Sequence, residues 1–111
     1  MRTEPRYPPK KPPVDAHPGQ ALVEEFLTPL GMSRSALARI TGVPSRHIGE
    51  IIHGRRSIDT DTSIRFALAL GTSARYWLNM QVSYDLAEAR RLLDASFFEV
   101  DLMGGDHQFG R

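Results

Sequence analysis

From residue 18 onward the hydrophobic positions repeat every three or four residues, which is the period of an amphipathic helix. The apolar positions of the first such segment are Leu22, Phe26, Leu27 and Leu30. Glu24 and Glu25 fall on the opposite face. Pro18 suits the first turn, because a residue there needs no N–H for the helix. Pro29 with Gly31 is expected to end this first helix.

Capping residues divide the next stretch into two short helices. Ser33 is a good N-cap for a second helix that runs to about Thr41. Pro44 with Ser45 starts a third helix, and Gly54 stops it. We therefore expect two short helices with a tight turn between them.

The second half of the chain predicts two further helices. The residues that can cap a fourth helix are Asp59, Thr60 and Asp61. The side chains expected on its buried side are Ile64, Ala67 and Leu68. Gly71 closes it, and Thr72 or Ser73 caps a fifth helix that can continue to Leu93. Beyond Asp94 the stretch SFFEVDLM could be a strand, a helix end or a loop. The predicted fold class is all-α, a bundle of five short helices.

The N-terminal stretch is rich in proline. Six of the eight prolines lie between Pro5 and Pro18, so the stretch cannot form a helix and favours extended conformations. Its basic residues are Arg2, Arg6, Lys10 and Lys11. They could touch a DNA backbone or simply form a solvated tail. We expect a flexible basic arm over residues 1–16, one domain over residues 17–94 and a tail over residues 95–111.

Residues 33–56, SRSALARITGVPSRHIGEIIHGRR, have the spacing of a helix-turn-helix. The key positions of this motif are separated by four, six and three residues, and here they are Ala38, Gly42, Ile48 and Ile51. The small residue lets the two helices cross closely, and the glycine takes a turn with positive φ. The two isoleucines then face the preceding helix. This arrangement leaves Ser45, Arg46, His47, Glu50 and His53 pointing outward.

The outward residues suit the reading of base edges in the major groove. Arg46 can donate two parallel hydrogen bonds to guanine, which contributes about 1–3 kcal/mol of discrimination. Glu50 could accept from a cytosine amino group or hold Arg46 in a suitable rotamer. Gly49 lies inside the third helix, where close approach of its backbone to DNA or to the neighbouring helix would explain it.

Residues on either side of the reading helix suit the DNA backbone. Ser33 and Arg34 begin the second helix, where free N–H groups favour phosphate. Arg55, Arg56 and Ser57 follow the third helix and are aimed at the flanking strand. Arg39 and Arg65 are interpreted as ordinary exposed charges.

Composition narrows the class. Residues 33–56 contain five arginines and one acid, whereas residues 81–106 contain six acids and two arginines. Cysteine is absent, and neither a bilayer-spanning apolar run nor a secretory signal is present, so a cytoplasmic protein is expected. His47 and His53 are six residues apart, which does not suit a metal pair on a helix. We expect no active site, no cofactor and no metal.

Three stretches of the sequence together resemble the HigA-type antitoxins of the Xre, or lambda-repressor-like, helix-turn-helix family. They are HPGQALVEEFLTPLGMS, ARITGVPSRHIGEIIHGRRSI and DTSIRFALALGTSARYWLNMQVSYDL. The resemblance covers about residues 17–86. The helix-turn-helix alone indicates the wider family. The segments that narrow the resemblance to the HigA type are His17–Gly19, Gly71–Ser73, WLNMQ at 77–81 and YDL at 84–86.

The resemblance implies a homodimeric repressor that binds operator DNA and neutralises a HigB-type toxin, a RelE-like mRNA-cleaving protein. The family's DNA-contacting positions fall on Arg34, Ser45, Arg46, His47 and Glu50. Its backbone contacts fall near His53, Arg55 and Arg56. Gly49 departs from the family pattern, which has a polar residue there, often Asn.

Two alternatives remain open from the sequence. The chain could be a stand-alone Xre-family regulator without a toxin, or an interaction module that binds protein only. Trp77 could fill the core or join a subunit interface, and the core is the favoured interpretation. The segment Leu86 to Phe98 is the better candidate for the subunit contact.

Overall fold

The structure is a computed structural model that describes residues 16–102, with side chains described as far as Asp94. Its helices are α1 (Pro18–Ala21, Leu22–Leu27 and Thr28–Leu30 in one continuous run), α2 (Arg34–Thr41), α3 (Ser45–Ile52), α4 (Thr60–Leu70) and α5 (Ala74–Leu102). The predicted all-α bundle of five helices is confirmed for this part of the chain. Residues 1–15 and 103–111, which include most of the predicted arm and the end of the predicted tail, lie outside the described residues.

Helix α1 is wider in its middle than an ordinary α-helix. The N–H of Thr28 donates to the carbonyl of Val23, five residues back, and residues 22–27 are π-helical. Pro29 explains this widening, because a proline ring inside a regular helix collides with the carbonyl four residues earlier. Gly31 then takes φ 63° and ends the helix, as its sequence predicts.

The predicted caps are confirmed. The side chains of Ser33, Asp59 and Ser73 each accept a hydrogen bond from the backbone N–H three residues later, over 2.9–3.0 Å. Hydrogen bonds from Thr62 lower the pKa of Asp59 below its ordinary value. The Nδ1 atom of His17 caps α1 by accepting from the N–H of Gly19 over 3.0 Å. These local contacts fix where α1, α2, α4 and α5 begin, whereas α3 begins after Pro44 without a side-chain cap.

Trp77 is the centre of the core. It is fully buried, and its ring centroid lies 5.3 Å from that of Phe26 and 5.4 Å from that of Phe66. Its indole N–H donates to the hydroxyl of Thr72 over 2.7 Å, so the buried polar group is satisfied. The placement of Trp77 in the core is confirmed. The other buried apolar residues are Ala21, Leu22, Leu27, Leu37, Val43, Ile48, Ile51, Ile58, Leu70 and Met80.

The predicted buried side of α4 is wrong. Ile64 and Leu68 are exposed, Leu68 at 83%, and Ala67 is half-buried. The buried residues of α4 are Ser63, Phe66 and Leu70. Ser63 can lie in the core because its hydroxyl donates to the carbonyl of Asp59 over 2.8 Å. Because a polar serine lies on the buried face of α4, the pattern of apolar residues alone predicts the wrong face of this helix as buried.

Helix α5 is longer than its apolar pattern predicts. It covers 29 residues, so the segment beyond Asp94 is helical as far as Leu102. The sequence leaves a strand, a helix end and a loop open for this segment, and in the structure it is the end of a helix. Helix α5 packs on α4 and on the start of α1.

Candidate nucleic-acid interface

The position of α3 is set by its apolar face. Ile48 and Ile51 are fully buried in the core. Gly42 takes φ 79° at the end of α2, and its N–H donates to the carbonyl of Ala38 over 2.8 Å. A left-handed residue is needed there for α2 to turn into α3, which glycine allows without strain. The helix-turn-helix geometry expected from the sequence is therefore confirmed.

The outward face of α3 carries the residues expected to read bases. The side chain of Arg46 is 81% exposed. Ser45, His47 and Glu50 are half-buried, and His53 is exposed at the end of the helix. The Nδ1 atom of His53 donates to the carbonyl of Gly49 over 2.7 Å, which holds the imidazole against the last turn.

Glu50 pairs with an arginine beyond its own helix. The Nε atom of Arg56 donates to its carboxylate over 2.7 Å, whereas the Nε atom of Arg46 lies 4.0 Å away. The hydrogen bond from Arg56 is the main cause of a Glu50 pKa below its ordinary value. Glu50 is therefore ionised at neutral pH. Its principal partner is Arg56 and not Arg46, the partner considered from the sequence.

Side chains from three segments enclose a groove on this face, which we call the α3 groove. It has a volume of about 490 Å³ and is lined by Arg34, Arg46, Gly49, Glu50, His53 and Arg55. Three arginines surround one carboxylate there, so the groove is positively charged. Such a concave cationic surface suits a polyanion.

Three further predicted site residues, Ser33, His47 and Arg56, do not line the α3 groove. His47 and Arg56 line a neighbouring cleft of about 250 Å³, on the side of α3 that faces α4. Arg55 and Arg56 therefore line different clefts beside α3, although they are adjacent in sequence. Ser33 is exposed, and its hydroxyl oxygen already accepts the capping hydrogen bond from Ala36.

Comparison with known proteins agrees with this geometry. Residues 23–77 match the helix-turn-helix family. The chain is 44% identical over 75 residues to virulence-associated protein I of Dichelobacter nodosus, covering 68% of this chain and 69% of the relative. It is 36% identical over 81 residues to antitoxin HigA-1 of Vibrio cholerae, covering 73% and 74%. The solved structure of Pseudomonas aeruginosa antitoxin HigA with higBA promoter superposes with a TM-score of 0.71 at 35% identity, covering 75% of this chain and 90% of that one.

The chain belongs to the HigA-type antitoxins of the Xre helix-turn-helix family. Proteins of this group are DNA-binding regulators, and the outward α3 of this chain fits that class. Among the described residues, no helix is long and apolar enough to cross a membrane.

In this HigA-type chain, Gly19 supports the position of α3, a role that its sequence pattern does not predict. The backbone of Gly19 lies against the end of α3: a Cβ there would be 2.8 Å from the Cα of Ile52 and closer still to the carbonyl of Ile51. Only glycine lets α1 approach α3 this closely. Gly19 belongs to the segment His17–Gly19, and the sequence of that segment alone does not predict this contact with α3.

Two further contacts fix the segments on either side of α3 to the rest of the bundle. The buried side chain of Gln81 accepts from the N–H of Ile58 over 2.8 Å, which fixes the loop after α3 to α5. Arg65 donates to the carbonyl of Thr41 over 2.8 Å and pairs with Asp61. Arg65 is therefore not the ordinary exposed charge expected from the sequence, because it binds the C-terminal end of α2. Both contacts join residues more than 20 positions apart, which local patterns do not reveal.

Proposed function

We propose that this chain is an antitoxin that binds operator DNA as a dimer, represses its own operon and neutralises a RelE-like mRNA-cleaving toxin. The observation that carries the proposal is the exposed side chain of Arg46, in the N-terminal half of α3, beside the cationic α3 groove. A helix held in this way can enter the major groove of DNA. The similarity to an antitoxin described with its promoter supports the same interpretation.

The DNA contacts fall into two sets in this proposal. Base edges are read from α3 by Ser45, Arg46, His47 and Glu50. The DNA backbone is bound on either side of α3 by Ser33, Arg34, His53, Arg55 and Arg56. The first set supplies sequence preference, and the second supplies affinity that falls with salt.

The dimer is supported by an apolar stripe on α5. Val82, Leu86 and Leu93 are each about half exposed, and their spacing places them on one side of the helix. Leucines exposed in this way stabilise a protein when a second copy covers them. Two copies would place two reading helices on half-sites about one DNA turn apart.

Sedimentation equilibrium tests the dimer. Replacing Leu86 and Leu93 with Glu should shift the protein from dimer to monomer, because four charges would face each other across the stripe. Arg91→Glu is a matched control, since Arg91 lies on the opposite side of α5 and should leave the dimer intact. A dimer that survives the double substitution would exclude the α5 stripe as the subunit contact.

DNA binding is tested by measuring affinity over a range of salt concentrations. The duplex is taken from immediately upstream of the coding sequence. Replacing Arg55 and Arg56 with Ala should reduce the slope of log K against log salt by about 1–2 units. Fewer phosphate contacts form in the variant, so fewer counterions are released on binding. Replacing Arg90 and Arg91 with Ala removes the same charge from α5 and should leave the slope unchanged. A wild-type protein without salt-dependent DNA affinity would instead be a protein-only interaction module.

Toxin neutralisation is tested by co-expression with the adjacent small reading frame. The proposal predicts that the neighbour alone arrests growth and that this chain restores it. Co-purification with truncations lacking residues 1–16 or 95–111 would then locate the binding segment, and retention by both would assign it to the helical body. If the neighbour is harmless, the chain is a stand-alone Xre-family regulator.

A further inference from the structure

Gly49 lies on the DNA-facing side of α3, yet it is buried. The side chain that covers it comes from another helix. A Cβ at Gly49 would be 3.3 Å from the Cζ atom of Arg34, 3.6 Å from its Cδ atom, and nearer still to Nη1. The guanidinium of Arg34 therefore occupies the space in which a side chain at position 49 would begin.

Position 49 belongs to the row of residues that faces the α3 groove. Arg46 lies three residues before it and His53 four residues after it, which makes them its neighbours on the helix surface. Arg34, Arg46 and His53 all line the groove. A side chain that starts from position 49 would thus project between two residues of the proposed interface.

The hydrogen-bond donors of Arg34 are available to a ligand. Among residues 16–94, Glu50 pairs with Arg56 and Arg46, and no carboxylate pairs with Arg34. The guanidinium carries five N–H donors in a planar fork that matches guanine O6 and N7. Arg34 is the first residue of α2 and is exposed, so a base can reach its guanidinium.

We infer that Arg34 reads a base in place of the side chain that Gly49 lacks. The guanidinium reaches across from α2, lies over Gly49 and donates two parallel hydrogen bonds to a guanine in the major groove. This inference moves Arg34 from the backbone-binding set of the proposed function to the base-reading set, as a specificity-determining residue. Gly49 is the position that makes room for it. This inference rests on the proposed function, because it specifies one contact of the operator complex.

Selection from a randomised duplex library, followed by affinity measurements on single-base variants of the selected site, tests the inference. Arg34→Lys keeps the charge and loses the planar fork. It should reduce discrimination at one guanine of each half-site by about tenfold, while affinity for random duplex stays near the wild-type value. Gly49→Asn should change the preference at the same base pair, because the new side chain displaces the guanidinium. The double variant should then resemble Gly49→Asn alone.

Arg55→Lys and Arg55→Ala are the matched controls, since Arg55 lines the same groove. Arg55→Lys should leave every base preference unchanged, and Arg55→Ala should weaken all duplexes by a similar factor. If Arg34→Lys keeps the wild-type order of preferences and Arg34→Ala weakens operator and random DNA equally, Arg34 is a phosphate contact and the inference is wrong. If wild-type protein selects no sequence, operator recognition itself fails, and the inference fails with it. The selection with wild-type protein is therefore done first, because it shows whether operator recognition fails or only the role inferred for Arg34.

Discussion

The side-chain oxygen of Gln81 accepts a 2.8 Å hydrogen bond from the backbone N–H of Ile58, 23 residues earlier in the chain. Both groups are buried, and the amide of Gln81 also donates to Asp85 over 3.0 Å. Ile58 ends the loop that carries Arg55 and Arg56. One side chain of α5 therefore holds the segment that follows α3.

We predict that Gln81→Met destabilises the fold and weakens DNA binding together. Met has a similar volume, but its thioether is only a weak acceptor, so the buried N–H of Ile58 loses its carbonyl partner at a cost of about 1–3 kcal/mol. Thermal unfolding and DNA affinity, measured on the same preparations, check this. Asn79→Ala is the control, because Asn79 is exposed on the same helix and should change neither quantity. A stable Gln81→Met protein would mean that the hydrogen bond does not hold the loop.

Gly19→Ala should be more destabilising than Gly31→Ala. The new Cβ at position 19 would overlap backbone atoms of Ile51 and Ile52, which cannot move aside without shifting α3. Overpacking of this kind costs about 1–3 kcal/mol or more. Gly31 has open space around it and φ 63°, so alanine there meets only the left-handed strain of about 1–2 kcal/mol.

Denaturant unfolding monitored by the fluorescence of Trp77, the single tryptophan, gives both values. Gly19→Ala should also weaken DNA binding, because the new Cβ displaces the end of α3. Equal destabilisation by the two substitutions would contradict the close contact between α1 and α3.

His17 should make stability depend on pH. Burial lowers the pKa of His17 below its ordinary value of 6.5, and Asp85 opposes this shift. The neutral ring is also the form whose Nδ1 can cap α1. The folded state therefore binds the proton less readily than the unfolded state. The stabilising contribution is complete above pH 6.5 and is lost as the pH falls from 6.5 through the lower folded pKa.

His17→Asn tests this assignment, because asparagine is a good N-cap that does not titrate in this range. Unfolding free energies between pH 8 and pH 5 should show a decline below pH 6.5 in the wild type. The decline should be smaller in the variant. Both proteins retain the other histidines, so identical curves would place the titrating group elsewhere.

Local signals in the sequence were sufficient for most of the fold. Ser33 and Asp59 cap helices because their side chains bond to the N–H three residues ahead, a contact that needs no tertiary information. The same holds for Gly42, whose positive φ follows from its place between two helices. Ile48 and Ile51 were placed correctly because their spacing alone decides which side of α3 faces inward.

The remaining features depend on contacts between distant segments. The buried face of α4 was misjudged because Ser63, a polar residue, lies in the core with its hydroxyl bonded to its own helix. The roles of Gly19 and Arg65 follow from how closely α1 approaches α3 and α4 approaches α2. The sequence shows that Gly49 departs from the family pattern, but only the structure shows that Arg34 fills its place.

The measurement that most directly tests the role of α3 is the ratio of affinities for the upstream operator duplex and a scrambled duplex, determined by fluorescence anisotropy. Arg46→Ala should lower this ratio by about tenfold, because the exposed guanidinium reads a base. Arg39→Ala, which removes a charge from α2 outside the α3 groove, should leave it unchanged. If Arg46→Ala keeps the wild-type ratio, α3 is not the helix that reads DNA.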